Sequence, residues 1–293
     1  MPFVSPIVNA LRCTQGIMRQ ALLGSGWQGT CSEEDIPYLF AEYRNRVVEP
    51  LPREVFISPE LHCPVDLQPG LDEIIQRLRK GEDVRPFQSS SIVDVEYKDP
   101  FLSDWGIHHF HLSLQVQPNG FMERTGPVLL AIIERGCAFL IAVKQHGRMN
   151  PNLWVQTDIL ENVRKHWPKW MERFRLNGIS PGNPISESDR KKLRKGRVVT
   201  FVELSDGHLY MPMGMGLSTA GTSAKAGMAM DKMLRAVERW EADILRDCRK
   251  YQQIFFPGIQ KWPEQFSVLL GIEGNQLYAT AEGSLVKIGI AQL

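Results

Sequence analysis

The sequence predicts an α+β protein: an antiparallel sheet meander with helices, followed by a smaller C-terminal α+β region. Three stretches carry that expectation. Residues 104–146 read DWGIHHFHLSLQV, a turn at QPNG, and then GPVLLAIIERGCAFLIAVKQH, which is three consecutive strand-like runs. Just upstream, GLDEIIQRLRKGED places Ile74, Ile75 and Leu78 on one side of a helix that Gly81 ends. A helix set before a meander is the segregated arrangement of α+β proteins. In the last third, a turn at Ser205-Asp206-Gly207 and a long amphipathic run to Tyr251 repeat the mixture on a smaller scale.

The chain has 293 residues, 43% hydrophobic and 23% charged, which suits one large or two ordinary globular domains. Charge is balanced at 34 Lys+Arg against 33 Asp+Glu, so a nucleic-acid site would have to be a local patch rather than a global field. The 5 cysteines are dispersed and form no CxxC pair, which argues against a disulfide framework or a zinc ribbon and points to a reducing, cytoplasmic setting. No apolar run approaches the roughly 18 residues needed to span a bilayer, and no secretory leader is evident, so no membrane partner is expected.

In chain order, Pro6 to Leu23 suits a short helix that Gly24 and Gly26 end. Ser32 followed by Glu33 and Glu34 is an N-cap with acids in the first turn, so a second helix is expected over 33–47, with Arg44 and Arg46 at its surface. Five prolines between Glu49 and Pro69 break regular structure and suggest a linker. Asp94, Glu96, Asp99 and Asp104 form an acid-rich approach to the first histidine strand, read as solvated loop carboxylates.

In that strand side chains alternate, so His108, Phe110, Leu112, Leu114 and Val116 share one face while His109, His111, Ser113, Gln115 and Gln117 share the other. The runs 128–134 and 138–144 are almost continuously apolar and suit a hairpin buried on both faces. His146 then ends a buried strand near His109 and His111.

Asp158 to Arg175 is the densest basic and aromatic stretch, with Pro168 kinking or splitting its helix; aromatics turned to the core and cations to water are the simpler reading. Asn177 to Lys195 is polar and rich in Gly, Pro and Ser, a candidate boundary. A hairpin with arms Arg197–Leu204 and His208–Pro212 follows. The Gly, Ser and Thr loop of 213–227 opens a long helix that buries Met230, Met233, Leu234, Val237, Ile244 and Leu245. Such loops can bind anions, but this one matches neither GxxxxGK[ST] nor GxGxxG. A closing hairpin spans 276–281 and 284–290. The expected parts are a helical N-terminal extension (1–70), a sheet-and-helix core with the histidine cluster (71–176) and a C-terminal interaction or regulatory region (197–293).

Imidazole titrates near neutrality, so several held together can divide the work of base and acid, as cleavage of RNA at its own 2′-hydroxyl requires. The candidate catalytic residues are His109 or His111 as base and His146 as acid. Lys144, Arg148 and Arg124 are the candidate phosphate-binding residues, able to stabilise the charged phosphorane. His108 falls on the apolar face as a core histidine. No cofactor is implied. Two alternatives stay open on the same residues: a metal-dependent hydrolase using His109 and His111 with His146 or an upstream aspartate, and a non-catalytic binding or scaffold protein.

The order of helix, approach loop and meander, with AVKQHGR closing it, resembles the core of the RelE/ParE toxin superfamily over 71–154. The resemblance implies a toxin-like ribonuclease with RNA as substrate and an antitoxin or other protein as partner, set inside a larger mobile-element or phage-defence protein.

Overall fold

The structure is a computed structural model and describes residues 5–7, 9–27, 29–94, 97–180, 182–183, 185–196, 198–218, 221–259, 263 and 265–293. Glu96 and Arg197, read above as part of the acidic approach and of a hairpin arm, lie outside them. The fold is α+β. In chain order it runs β1 (Ser5–Ile7), α1 (Ala10–Gly24), α2 (Ile36–Arg46), β2 (Glu54–Ile57), α3 (Gln68–Lys80), α4 (Pro100–Trp105), β3 (Ile107–His111), β4 (Pro127–Ile133) and β5 (Cys137–Gln145). There follow α5 (Asp158–His166), α6 (Pro168–Met171), α7 (Glu187–Lys195), β6 (Val202–Glu203), β7 (Leu209–Tyr210), α8 (Ala224–Arg246), α9 (Cys248–Phe255), β8 (Gln265–Glu273), β9 (Gln276–Ala281) and β10 (Ile288–Gln292).

The chain forms two compact units, one of Met1–Tyr43 with Ala226–Leu293 and one of Arg44–Lys225. In the first, a sheet of order β1-β8-β9-β10 joins the two sequence ends, with β1 parallel to β8. Helix α1 has Asn9 as N-cap, its side chain accepting from the Arg12 N–H, and Glu241 on α8 accepts from the Ala10 N–H at 3.0 Å. Met230, Met233, Val237 and Ile244 of α8 are buried as their spacing requires, whereas Leu245 is exposed.

The second unit is built on a sheet of order β2-β5-β4-β3. The expected hairpin is present as β4 and β5, buried along most of its length. Its inner strands are sandwiched. Phe110, Leu129, Ala131, Ala138 and Leu140 pack under Leu71, Ile74 and Leu78 of α3, which Gly81 ends at φ 75°. Ile107, Val128, Leu130, Phe139 and Ile141 pack against Ile159, Leu160 and Val163 of α5. Burial on both faces explains why these strands read as continuous apolar runs.

Several expectations give way. The proline-rich stretch read as a linker holds β2, an edge strand parallel to β5, because Glu54 to Ile57 fall between the prolines and leave their donors free for a ladder. The first histidine strand stops at His111 rather than running to Gln117. Thr125 Oγ1 takes the Leu112 N–H and Ser113 Oγ takes that of Gln115, so local side-chain acceptors interrupt the ladder, which resumes only as the short Val116–Met122 bridge. Leu114 and Val116 are consequently exposed. The polar segment 177–196 contains α7, capped by Ser186, whose Oγ accepts from the Asp189 N–H at 3.1 Å. Pro168 does split its helix, separating α5 from α6 at Trp167. Trp167, Trp170 and Phe174 pack on the core, while Arg173 pairs with Glu134 and Lys165 with Glu60.

The glycine-rich loop is a packed connection. Gly214 and Gly216 donate their N–H groups to Asp104 O (3.0 Å) and Ser103 O (2.8 Å), so those donors serve the end of α4 instead of a ligand. A Cβ on Gly214 would meet Ser103 O at 2.2 Å. Gly214→Ala is therefore expected to destabilise the protein by about 1–3 kcal/mol, the usual cost of overpacking, measured by urea unfolding.

Candidate functional site

Strand pairing brings the histidines to one face. His109 lies opposite Leu130 and His111 opposite Val128, both neighbours pointing into the α5 side of the sheet. Pro127 pairs with Gln145, so the next residue of β5's exit, His146, lies against Gly126. That glycine has no side chain to separate rings that start two strands apart. The His146 N–H donates to Gly126 O at 3.1 Å, and its Nδ1 lies 2.7 Å from the same oxygen. Ring centroids are 6.5 Å apart for His109 and His111, 6.3 Å for His109 and His146, and 5.5 Å for His111 and His146. Trp154 stands 5.6 Å from His109 and 6.3 Å from His146.

A cavity of about 390 Å³ opens at this cluster. His109 and His146 line it; His111 does not, being wholly buried. Its positive lining comes from Arg124, Lys191, Arg194 and Lys195, and its aromatic lining from Tyr97, Phe101 and Trp154. Of the three cations expected from the sequence, only Arg124 reaches it. Lys144 pairs with Asp158 at 2.6 Å, and Arg148 is exposed on the short turn Gly147–Met149. His108 sits on the opposite face, its ring 6.3 Å from that of Phe110, as its place in the alternation requires.

Hydrogen bonds set the tautomers. Gly126 O can only accept, so His146 Nδ1 carries a proton and Nε2 is the free nitrogen of the neutral ring. The Thr125 N–H donates to His111 Nδ1 at 3.1 Å, so in that ring the proton sits on Nε2, which is buried with no partner. Burial pushes His111 down to about 3, with His109 and His146 adding repulsion. His109 is also lowered by burial, against the pull of Asp99, whose Oδ2 is 3.8 Å from Nδ1. Both rings are thus held neutral near pH 7.

Two of the approach acids are structural anchors rather than solvated carboxylates. Asp99 caps α4, its Oδ1 accepting from the N–H groups of Phe101 and Leu102. Asp104 binds Arg194. The loop carrying Tyr97 and Asp99 is held by Arg46, 2% exposed, which donates to Asp94 O at 2.8 Å and Tyr97 O at 2.6 Å. Sequence reasoning placed Arg46 at the surface and passed over Lys191, Arg194, Lys195 and Trp154. The α7 cations were signposted: Ser186 followed by Glu187 and Asp189, with Lys192, Arg194 and Lys195 in the last turn, is the charge order of a capped helix. Among the described residues no group of three His, Cys, Asp or Glu side chains is placed to hold a metal ion.

No family model matches the chain, and neither does any curated protein or solved structure.

An unfolded histidine takes its proton near 6.5, whereas folded His111 stays neutral to about 3. Between those values the unfolded chain binds more protons, so stability falls as pH falls, by up to about 1.4 kcal/mol per pH unit for each such ring. His111→Asn removes one ring's share. Its stability deficit against the parent protein is expected to narrow steadily from pH 6.5 to pH 4 in urea titrations, and a constant deficit would contradict the buried neutral state.

Proposed function

We propose that the protein is a metal-independent ribonuclease that cleaves RNA at its own 2′-hydroxyl. The observation that carries this reading is the meeting of three imidazoles, none further than 6.5 Å from the next, beside a cavity bordered by four cationic side chains. His109 is the base: it lines the cavity, burial keeps it neutral, and Asp99 lies where it can stabilise the imidazolium once formed. His109 takes the 2′-hydroxyl proton as the 2′-oxygen bonds to phosphorus. His146 enters the step as the imidazolium, its Nδ1–H on Gly126 O, and its Nε2–H protonates the departing 5′-oxygen as that oxygen's bond to phosphorus breaks, leaving a 2′,3′-cyclic phosphate, a 5′-hydroxyl and a neutral His146. Arg124, Lys191 and Lys195 offset the charge that builds on the phosphorane. His111 works as a positioning residue, its ring centroid 5.5 Å from that of His146 and its own charge suppressed.

The likeness to RelE/ParE toxins over 71–154 belongs to this same proposal, and with it a protein partner that restrains the activity. A cytoplasmic setting agrees with it, since all five cysteines are free thiols. No helix among the described residues is long and apolar enough to cross a membrane.

His109→Ala and His146→Ala are each expected to lower cleavage of a fluorogenic single-stranded RNA by about 10²–10⁴-fold, the usual share of a general acid or base. The parent rate should be unchanged by EDTA. Full activity in both variants would remove the reading and favour a non-catalytic binding protein.

A further inference from the structure

One cation at the cavity is arranged unlike the rest. Lys195 is exposed and Lys191 donates to Asn152 Oδ1 at 2.9 Å, whereas the Arg194 side chain is only 11% exposed. Its guanidinium is fixed on two sides: Nε binds the Asp104 carboxylate, and Nη1 donates to Trp154 O at 2.5 Å. The same Trp154 carbonyl accepts from Trp105 Nε1 at 3.1 Å, and the Arg194 guanidinium lies 6.0 Å from the Trp105 ring. The third nitrogen, Nη2, is buried and has no acceptor among the described residues. Folded proteins rarely leave a charged donor in that state, and an arginine cannot escape it by losing its proton. His109 Nδ1, at the same cavity, is likewise without a hydrogen-bond partner.

The acceptor that Nη2 lacks would be anionic or strongly polar, and because Arg194 lines the cavity a group entering there can supply it. Beside it stands Trp154, half-buried, its ring backed by Phe101 at 4.8 Å between centroids. An indole supported in this way is a platform for a flat heteroaromatic group. The cavity volume of about 390 Å³ admits one such group with its sugar and phosphate, in the lower range of small-ligand pockets.

We propose that the cavity binds a single nucleotide unit, with a phosphate oxygen accepting from Arg194 Nη2 and the base laid against Trp154. The choice of a nucleotide rests on the ribonuclease reading above; the anion site at Arg194 rests on the geometry alone. The substrate is then single-stranded, because a base paired inside a duplex cannot be splayed onto an aromatic side chain. Arg194 is a binding residue that the sequence reading did not single out, and Asp104 positions it.

The test is calorimetric titration of the full chain with adenosine 3′-monophosphate, adenosine and inorganic phosphate. The nucleotide is expected to bind more tightly than either fragment by about tenfold or more. Arg194→Lys, which keeps the charge but loses the fork, should weaken the nucleotide by about tenfold and leave adenosine unchanged. Equal affinity of the parent and Arg194→Lys would overturn the proposal, as would a nucleotide no tighter than phosphate. If Arg194→Lys does not fold, a crystal structure of the parent with adenosine 3′-monophosphate decides: the phosphate lies within hydrogen-bond distance of Arg194 Nη2, or the assignment is wrong. Loss of RNA cleavage by the parent protein with nucleotide binding intact would remove the ribonuclease reading and leave this one standing.

Discussion

The register of three strands governs the site. His111 pairs with Val128, and Pro127 with Gln145, so the histidines of β3 and the residue leaving β5 share one face. Side chains alternate with a period of two, so a slip of one residue in either ladder would turn His109 and His111 toward α3 and carry Phe110 to the cavity side. The apolar runs of β4 and β5 resist that slip poorly by pattern alone, since both of their faces are buried. What opposes it is β3 itself, where Phe110 and Leu112 must stay in the α3 core.

The same packing that sets the register also sets the chemistry. His109 and His111 occupy a face that is otherwise core, so their environment penalises charge and keeps them neutral. A neutral imidazole beside four cations is a proton acceptor whose conjugate acid the surroundings disfavour, and Asp99 at 3.8 Å from His109 is the nearby group that opposes this. The cations do not share the histidines' origin. Arg124 comes from the β3–β4 connection, and the others ride on α7, which is tied down through Asp104, Val155 O and Asn152. Imidazole nitrogens and positive charge are thus delivered by separate parts of the sequence to one cavity.

Legibility in the sequence followed the strength of local periodicity. The β4–β5 hairpin and α3 were readable because apolar spacing and Gly81 define them without help from elsewhere. The meeting of His109, His111 and His146 was readable for the same reason: it needs only alternation in β3 and a short hairpin. The true end of β3 was not, because it depends on Thr125, a residue from across the turn that captures the Leu112 N–H. Of the cations chosen on proximity in sequence, Arg124 lines the cavity and Lys144 and Arg148 do not. Lys144 stands two residues from His146 yet turns to Asp158, whereas Arg194 lies far along the chain and arrives by tertiary packing. Composition also misled at 177–196, where glycines and prolines suggested only a surface connection while the Ser186 cap marked a helix.

β1 lies parallel to β8, and between them in the chain stands the whole of Arg44–Lys225. During synthesis the histidine-bearing unit emerges complete while the amino-terminal strand still has no neighbour, because its neighbour has not been made. Units fold as they leave the ribosome, so this interior insertion is assembled first and the outer unit closes last, when β8 is released. A nascent chain halted before that strand would already carry the cavity residues.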